Sequence, residues 1–139
     1  ELLPPTSVGD FPGFYGVMLT RMSLVTMIGN PEANREWYRM LSSVSGIYLI
    51  LDTKTGLQYV GSAYGAYGIW ARWSSYARTA HGGNHLLKKL LAERPTAYED
   101  FQYCILRVLE PGVTRDEVLE HEALVKRKLG SRAYGLNIN

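Results

Sequence analysis

The segment EDFQYCILRVLE, residues 99–110, constrains the fold most, because it is apolar on both of its alternating faces. A strand with two apolar faces is typical of the interior of a sheet that is covered on both sides. The sequence therefore predicts a central strand here, with helices packed around its sheet. The single cysteine, Cys104, lies in this run. It permits no internal disulfide and indicates a reducing compartment and a buried, unreactive thiol.

Two shorter apolar runs, at 46–51 and 57–61, are joined by the polar sequence DTKTG. Aspartate and glycine between apolar segments favour a hairpin loop. The hairpin adds two strands to the central one. The predicted fold class is therefore α/β, a small single domain with a mainly antiparallel three-stranded central sheet flanked by helices.

The region before the hairpin, residues 1–44, is predicted to be an N-terminal arm and helix packed on the core. Its first 30 residues are punctuated by proline and glycine and predict an irregular arm or a short helix. A helix is expected to start at Asn30, as the capping residue, with Pro31 in the first helical position. Residues 45–139 form the rest of the domain.

Three further helical patterns lie between and after the strands. Residues 69–78 and 82–94 repeat apolar side chains at helical spacing. The last helix has the clearest ends, since Thr114 and Glu117 match a capping box and Gly130 is a typical stop.

Bulk properties limit the function classes. A chain of 139 residues suits one domain, and its net charge of +2 is compatible with nucleic-acid binding without indicating it. No stretch reaches the length of a membrane-spanning helix, and the N-terminus lacks the pattern of a secretory signal. We expect no membrane association and a cytoplasmic protein, with a delivered or secreted toxin as the alternative.

Glu122 departs from the pattern of the last helix, because it falls beside the apolar stripe that contains Val118 and Val125. An inward carboxylate is costly unless a cation or a donor meets it. Taken alone, the spacing favours an edge glutamate paired with Arg115 or Lys126, its carboxylate in water. The alternative is a metal ligand, since Mg²⁺ takes one or two protein carboxylates and completes its shell with water and substrate phosphate.

Basic side chains lie on two other predicted helices. His85 lies opposite the leucines of its helix, beside Lys88 and Lys89, which indicates either a solvated polar face or a face that meets a phosphate backbone. Arg72 stands between two tryptophans. It is either structural or placed to hold a phosphate with its fork of donors.

Other chemistries lack their motifs. The sequence contains no phosphate-binding Gly-x-x-x-x-Gly-Lys loop and no cysteine–histidine cluster with zinc spacing, and the glycines of GSAYGAYG are wrongly spaced for a dinucleotide site. A nucleophile elbow is also missing. We therefore expect no small-molecule cofactor.

Two tripeptides in the hairpin complete a recognisable set. GIY at 46–48 and YVG at 59–61 place their tyrosines eleven positions apart. The positions that follow in order are Arg72, His85, Glu122 and Asn137. Over about residues 45–139 the chain resembles the GIY-YIG nuclease superfamily, with valine at position 60 where the motif has isoleucine.

The resemblance implies a metal-dependent endonuclease that hydrolyses phosphodiester bonds in DNA. Glu122 would hold one Mg²⁺ or Mn²⁺ ion, which polarises the phosphate and stabilises the leaving oxygen. Tyr59 would take the proton from the attacking water, as a phenolate favoured by neighbouring cations. Tyr48 would position that water or share its proton through a hydrogen bond.

The remaining site residues would act on the phosphate. Arg72 would neutralise charge that develops on the phosphoryl oxygens. His85, preferred to the nearby His81, would contact the phosphate or assist proton transfer. Asn137 would orient the site or cap the chain end.

The resemblance also implies a DNA surface, and the residues expected to bind DNA are Arg72, His85, Lys88 and Lys89. The alternative from another class is a catalytically weak DNA-binding or protein-interaction module of the same fold.

Overall fold

The structure is a computed structural model that describes residues 5–130, and its centre is a sheet of four antiparallel strands. The strands are β1 (Met18–Thr20), β2 (Ser45–Asp52), β3 (Gln58–Ala63) and β4 (Phe101–Leu109). Their order across the sheet is β1-β4-β2-β3. Strands β2 and β4 are therefore interior, and β1 and β3 form the two edges.

The α/β class is confirmed, but the sheet has four strands where the sequence predicts three. The additional strand, β1, belongs to the N-terminal arm and pairs with β4, with Leu19 opposite Tyr103. Three residues are too few to show the alternation by which strands are found in a sequence. The interior position of residues 101–109 is confirmed, because β4 pairs with β1 on one side and β2 on the other.

Five helices accompany the sheet, and none of them within residues 5–130 is long and apolar enough to cross a membrane. They are α1 (Arg21–Gly29), α2 (Arg35–Leu41), α3 (Gly68–Thr79), α4 (His85–Glu93) and α5 (Arg115–Leu129). Short 3₁₀ turns lie at Phe14–Gly16 and Ala97–Asp100. The predicted capping box of α5 is present at Thr114 and Glu117, and Gly130 ends the helix with a φ of 66°.

The helix predicted to start at Asn30 starts instead at Arg35, so that prediction is wrong. Asn30 belongs to the end of α1, where its side-chain amide donates a hydrogen bond to the Thr26 carbonyl at 2.8 Å. Asparagine can bond the unpaired backbone groups at either end of a helix, and the sequence alone does not show which end it caps.

The two faces of the sheet carry two separate cores. Ile47 and Val60 pack with Val118 of α5 on one face. Tyr48 and Ile50 belong to the larger core on the other face, which contains buried side chains from α1 to α4. The hairpin thus has helix α5 on one side and helix α3 on the other, and its outer strand β3 is a sheet edge.

The turn between β2 and β3 is fixed by a buried carboxylate. Asp52 is 1% exposed, accepts backbone N–H bonds from Lys54 and Thr55, and lies 2.5 Å from a nitrogen of Arg94. Burial would raise the pKa of Asp52, but the Arg94 bond and the backbone bonds lower it below its ordinary value. Since register follows turn geometry, this turn helps to set which residues of β2 and β3 stand opposite each other.

Candidate active site

A cleft of about 510 Å³ lies where the edge strand β3 meets helices α3 and α5. Three of the residues that the sequence predicts for the site line it: Tyr59 from β3, Arg72 from α3 and Glu122 from α5. These positions are far apart in the chain. The fold brings them together because α3 and α5 cover opposite faces of the sheet and both reach its β3 edge.

Tyr48 lies behind this cleft and not on its surface. Its side chain is fully buried, and its cross-strand partner is Gly61. A Cβ atom added to Gly61 would stand 2.5 Å from the Tyr48 hydroxyl oxygen. The glycine of the second tripeptide therefore provides the space that the tyrosine of the first one fills. Glycine at this position permits the close approach, since any side chain there would meet the Tyr48 ring.

The Tyr48 hydroxyl belongs to a buried hydrogen-bonded cluster, which we call the phenol–guanidinium cluster and define as Tyr48, Tyr76 and Arg72. The two hydroxyl oxygens are 2.7 Å apart. Arg72 donates from Nε to the Tyr48 hydroxyl and from a terminal nitrogen to the Tyr76 hydroxyl, both at 3.2 Å. Its guanidinium also lies 4.8 Å from the centre of the Tyr76 ring.

Burial raises the pKa of Tyr48 well above its usual value, and the neighbouring Tyr59 raises it further. The pKa of Tyr76 is raised for the same first reason. Both phenols are therefore protonated at neutral pH and act as hydrogen-bonding groups. Burial would lower the pKa of Arg72, but the adjacent phenols raise it, and the guanidinium stays charged.

Most of the donors of Arg72 are used inside the protein. Besides the two phenols, the guanidinium donates to the Ser75 hydroxyl at 3.2 Å and to the Gly82 carbonyl at 2.9 Å. A guanidinium carries five N–H groups. Contacts within residues 5–130 use four of them, so in this part of the chain Arg72 offers the cleft its positive charge and one further donor.

Tyr59 occupies a different position in the hairpin from Tyr48. It stands opposite Ile50 in the register, diagonal to Tyr48, and the two ring centres are 6.5 Å apart. It is half-buried and forms one wall of the cleft. Of the two motif tyrosines, Tyr59 is the one that a ligand in the cleft would touch.

Glu122 lines the cleft and also forms an ion pair within its own helix. Its Oε2 lies 2.7 Å from Nζ of Lys126, and the two side chains are only 16% and 9% exposed. Both sequence-based alternatives for Glu122 thus retain support. It pairs with Lys126, as the edge-glutamate interpretation expects, although its side chain is mostly buried and not in water; it also lines the cleft, as a metal ligand would.

The donor set fits a single hard cation. The described residues 5–130 contain no group of three or more histidine, cysteine, aspartate or glutamate side chains that could enclose a metal. One carboxylate in an open cleft suits Mg²⁺, which keeps several waters and takes further oxygens from a phosphate. The Lys126 contact uses Oε2, so Oε1 of Glu122 is the oxygen that would hold such an ion.

The other predicted positions are not among the cleft-lining residues. His85 is the first residue of α4, and His85, Lys88 and Lys89 are all exposed. The loop before α4 is tied to the site, because the Gly82 carbonyl accepts from Arg72. Asn137 lies outside the described residues.

Sequence reasoning missed one polar partner in the site, Tyr76. Tyr76 is one of the side chains that give residues 69–78 their apolar helical spacing, yet its hydroxyl bonds both Tyr48 and Arg72. The available signal was its position four residues after Arg72, which places both side chains on one helix face. Lys126 stands in the same relation to Glu122, and it is one of the two partners that the sequence predicts for that carboxylate.

Comparisons of the chain with models of protein families, with curated proteins and with solved structures found no match.

Proposed function

We propose that the chain is a metal-dependent endonuclease that hydrolyses phosphodiester bonds in DNA. The observation that supports this most is the meeting of Tyr59, Arg72 and Glu122 in one cleft, although they come from three different elements. A phenol, a guanidinium and a carboxylate supply a proton acceptor, a positive charge for a phosphate and a ligand for Mg²⁺.

The metal belongs at Glu122. A Mg²⁺ or Mn²⁺ ion bound there would polarise the phosphate and stabilise the leaving oxygen. Glu122 would hold it through Oε1, while Lys126 keeps its contact with Oε2. Because the Lys126 contact already holds the carboxylate in place, binding the ion costs less side-chain entropy.

Tyr59 would accept the proton of the attacking water, since it is the motif tyrosine on the cleft surface. Tyr48 would act through Arg72 and is therefore a positioning residue. Together with Tyr76 it fixes the guanidinium in one orientation. Arg72 would then meet the phosphate with charge that is already in place, which is the condition for strong electrostatic stabilisation.

The exposed face of α4 is proposed to contact DNA outside the cleft. His85, Lys88 and Lys89 fall on one side of this helix and are exposed. Each neutralised phosphate releases counterions, so contacts of this kind strengthen binding and make it sensitive to salt.

A plasmid-nicking assay tests the proposal. Supercoiled DNA is incubated with the protein in Mg²⁺, in Mn²⁺ and in EDTA, and the Glu122→Gln variant is compared with Glu120→Gln, an exposed glutamate of the same helix. We expect nicking only with metal and a loss of more than about 100-fold for Glu122→Gln, the range for a preorganised charged group. Glu120→Gln should nick normally.

Glu122→Gln removes a charged partner of the buried Lys126, so stability must be measured alongside. The double variant Glu122→Gln with Lys126→Met removes this complication and should remain folded and inactive. Nicking that persists in EDTA, or in the double variant, would contradict the metal mechanism. DNA binding without any nicking would favour the second candidate, a DNA-binding module in which the Lys126 ion pair replaces the metal.

A further inference from the structure

We propose that Tyr64, at the mouth of the cleft, is a stacking site for an unpaired nucleobase. This inference rests on the proposed function in that it takes DNA as the ligand. It adds that the preferred DNA has unpaired nucleotides next to the bond that is cut.

Tyr64 is an exposed aromatic residue in direct continuity with the site. Its side chain is 42% exposed, and it lines the same cleft as Tyr59 and Arg72. Within residues 5–130, no hydrogen bond or ring contact engages its side chain. Its ring is therefore available to a ligand, and such a ligand would share the cleft with the Arg72 guanidinium.

Of the other exposed tyrosines of the described chain, Tyr15 and Tyr38 have partners, and Tyr67 is not among the residues that line the cleft. The Tyr15 hydroxyl accepts a hydrogen bond from the Val108 backbone at 3.0 Å. The Tyr38 ring packs edge-on against Trp70, with ring centres 5.0 Å apart. These contacts give Tyr15 and Tyr38 structural roles, whereas Tyr64 lies beside the cleft without one.

The loop that carries Tyr64 is held in a defined shape. Gly68, at its end, has a φ of 40°, and a Cβ added there would lie 1.8 Å from the Val44 carbonyl oxygen. Ile69 donates to that same carbonyl at 3.1 Å. Tyr67 has a φ of 63°, a left-handed conformation that bulky residues rarely adopt, and is 59% exposed. A loop fixed at this anchor presents Tyr64 in a constant position, which favours binding.

The space next to Tyr64 suits a flat ligand. Gly68 and Ala71 line the same cleft as Tyr64 and Arg72, and neither has a large side chain. A volume of about 510 Å³ is within the range of small-molecule sites. A nucleobase could lie against the Tyr64 ring while its phosphate approaches Arg72.

Only an unpaired base can make this contact. In a duplex the faces of each base are stacked on their neighbours, so exposing one requires unstacking or base flipping. Aromatic side chains are the usual platforms for bases in single strands, and such stacking tolerates any sequence. The site therefore selects DNA structure more than DNA sequence.

The test measures binding in EDTA, so that it does not depend on cleavage. A single-stranded oligonucleotide containing 2-aminopurine is titrated with wild-type protein and with Tyr64→Ala, Tyr64→Phe and Met22→Ala. The last changes a 79% exposed apolar side chain on α1 and serves as the control. The same sequence as a fully paired duplex is titrated in parallel.

We expect Tyr64→Ala to weaken single-strand binding by about 5- to 100-fold and to abolish the fluorescence quenching that stacking causes. Tyr64→Phe retains the ring and should bind within about twofold of wild type, as should Met22→Ala. Duplex binding should change by no more than about twofold in any variant.

Two results would overturn the proposal: unchanged single-strand binding by Tyr64→Ala, or equal weakening for the single strand and the duplex. The outcome is separable from that of the nicking assay. Tyr64-dependent single-strand binding by a protein that never nicks would support this site and contradict the nuclease. Metal-dependent nicking by a protein whose single-strand binding does not depend on Tyr64 would support the nuclease and contradict this stacking site.

Discussion

Tyr48 and Tyr59 have equivalent places in the sequence and very different places in the molecule. Each belongs to a glycine-containing tripeptide at one end of the same hairpin, and their ring centres are 6.5 Å apart. Tyr48 is fully buried, with two hydrogen-bonding partners from α3, whereas Tyr59 forms a wall of the cleft. Tyr48 holds Arg72 from behind the cleft, and Tyr59 is the tyrosine that a ligand in the cleft would touch.

Strand position explains the difference. Tyr48 lies on β2, between β3 and β4, so strands on both sides and the helices above it exclude water. Tyr59 lies on β3, an edge strand, where the cleft between α3 and α5 opens. Adjacent strands thus place one side chain in a low-dielectric interior and its neighbour at a boundary that a phosphate can reach.

Gly61→Ala should have the largest effect on Tyr48, the buried tyrosine of the pair. The new Cβ would stand 2.5 Å from the Tyr48 hydroxyl oxygen and would displace the ring from its contacts. We expect the free energy of unfolding to fall by about 1–3 kcal/mol, the usual cost of overpacking. Chemical denaturation measures it.

The matched control is Gly112→Ala, at a glycine whose added Cβ meets nothing within 4 Å. Its effect should be within about 0.5 kcal/mol, as for other surface changes. Equal destabilisation by both substitutions would show that Tyr48 and Gly61 are not specifically matched.

Alkaline pH should destabilise the folded protein through its buried phenols, with an effect that grows as the pH rises. The pKa of Tyr48 is raised by burial in the folded state, as are those of Tyr76 and Tyr103. The unfolded chain therefore loses these phenolic protons first as the pH rises. Their contribution to stability is complete below the ordinary tyrosine pKa of about 10 and is lost progressively above it.

Denaturant titrations at a series of pH values check this expectation. The free energy of unfolding should decline above about pH 10, and Tyr48→Phe should make the decline shallower because one such proton is missing. A free energy of unfolding that is constant or rising across that range would contradict the assignment of Tyr48 to a desolvated, protonated cluster.

Much of this architecture could be predicted from the sequence, because its signals are local. The capping box of α5, the hairpin and the two-sided strand β4 each depend on residues close together in the chain. The interior position of β4 and both ends of α5 are confirmed where the prediction placed them. Strand β1 and the start of α2 could not be found in this way. A three-residue strand has no periodicity, and Asn30 serves equally well at either end of a helix.

The site is predictable only in part, for a related reason. Motif positions indicate which residues matter, but exposure depends on neighbouring strands and helices. Nothing in the sequence distinguishes a buried Tyr48 from a cleft-facing Tyr59. The partnerships of Arg72 with Tyr76 and of Glu122 with Lys126 follow helical spacing, but the spacing does not say that the pairs are buried beside a cleft.

Measuring both the rate of metal-dependent nicking and the free energy of unfolding for Tyr59→Phe and Tyr48→Phe tests the division of roles most directly. We predict that Tyr59→Phe lowers the rate by about 10²- to 10⁴-fold, the range for loss of a proton acceptor, with stability unchanged within about 0.5 kcal/mol. Tyr48→Phe should cost about 1–3 kcal/mol of stability, because Arg72 and Tyr76 lose a buried partner, and should slow nicking less. Near-normal nicking by Tyr59→Phe, or a Tyr48→Phe protein of full stability that nicks no better than Tyr59→Phe, would contradict the account.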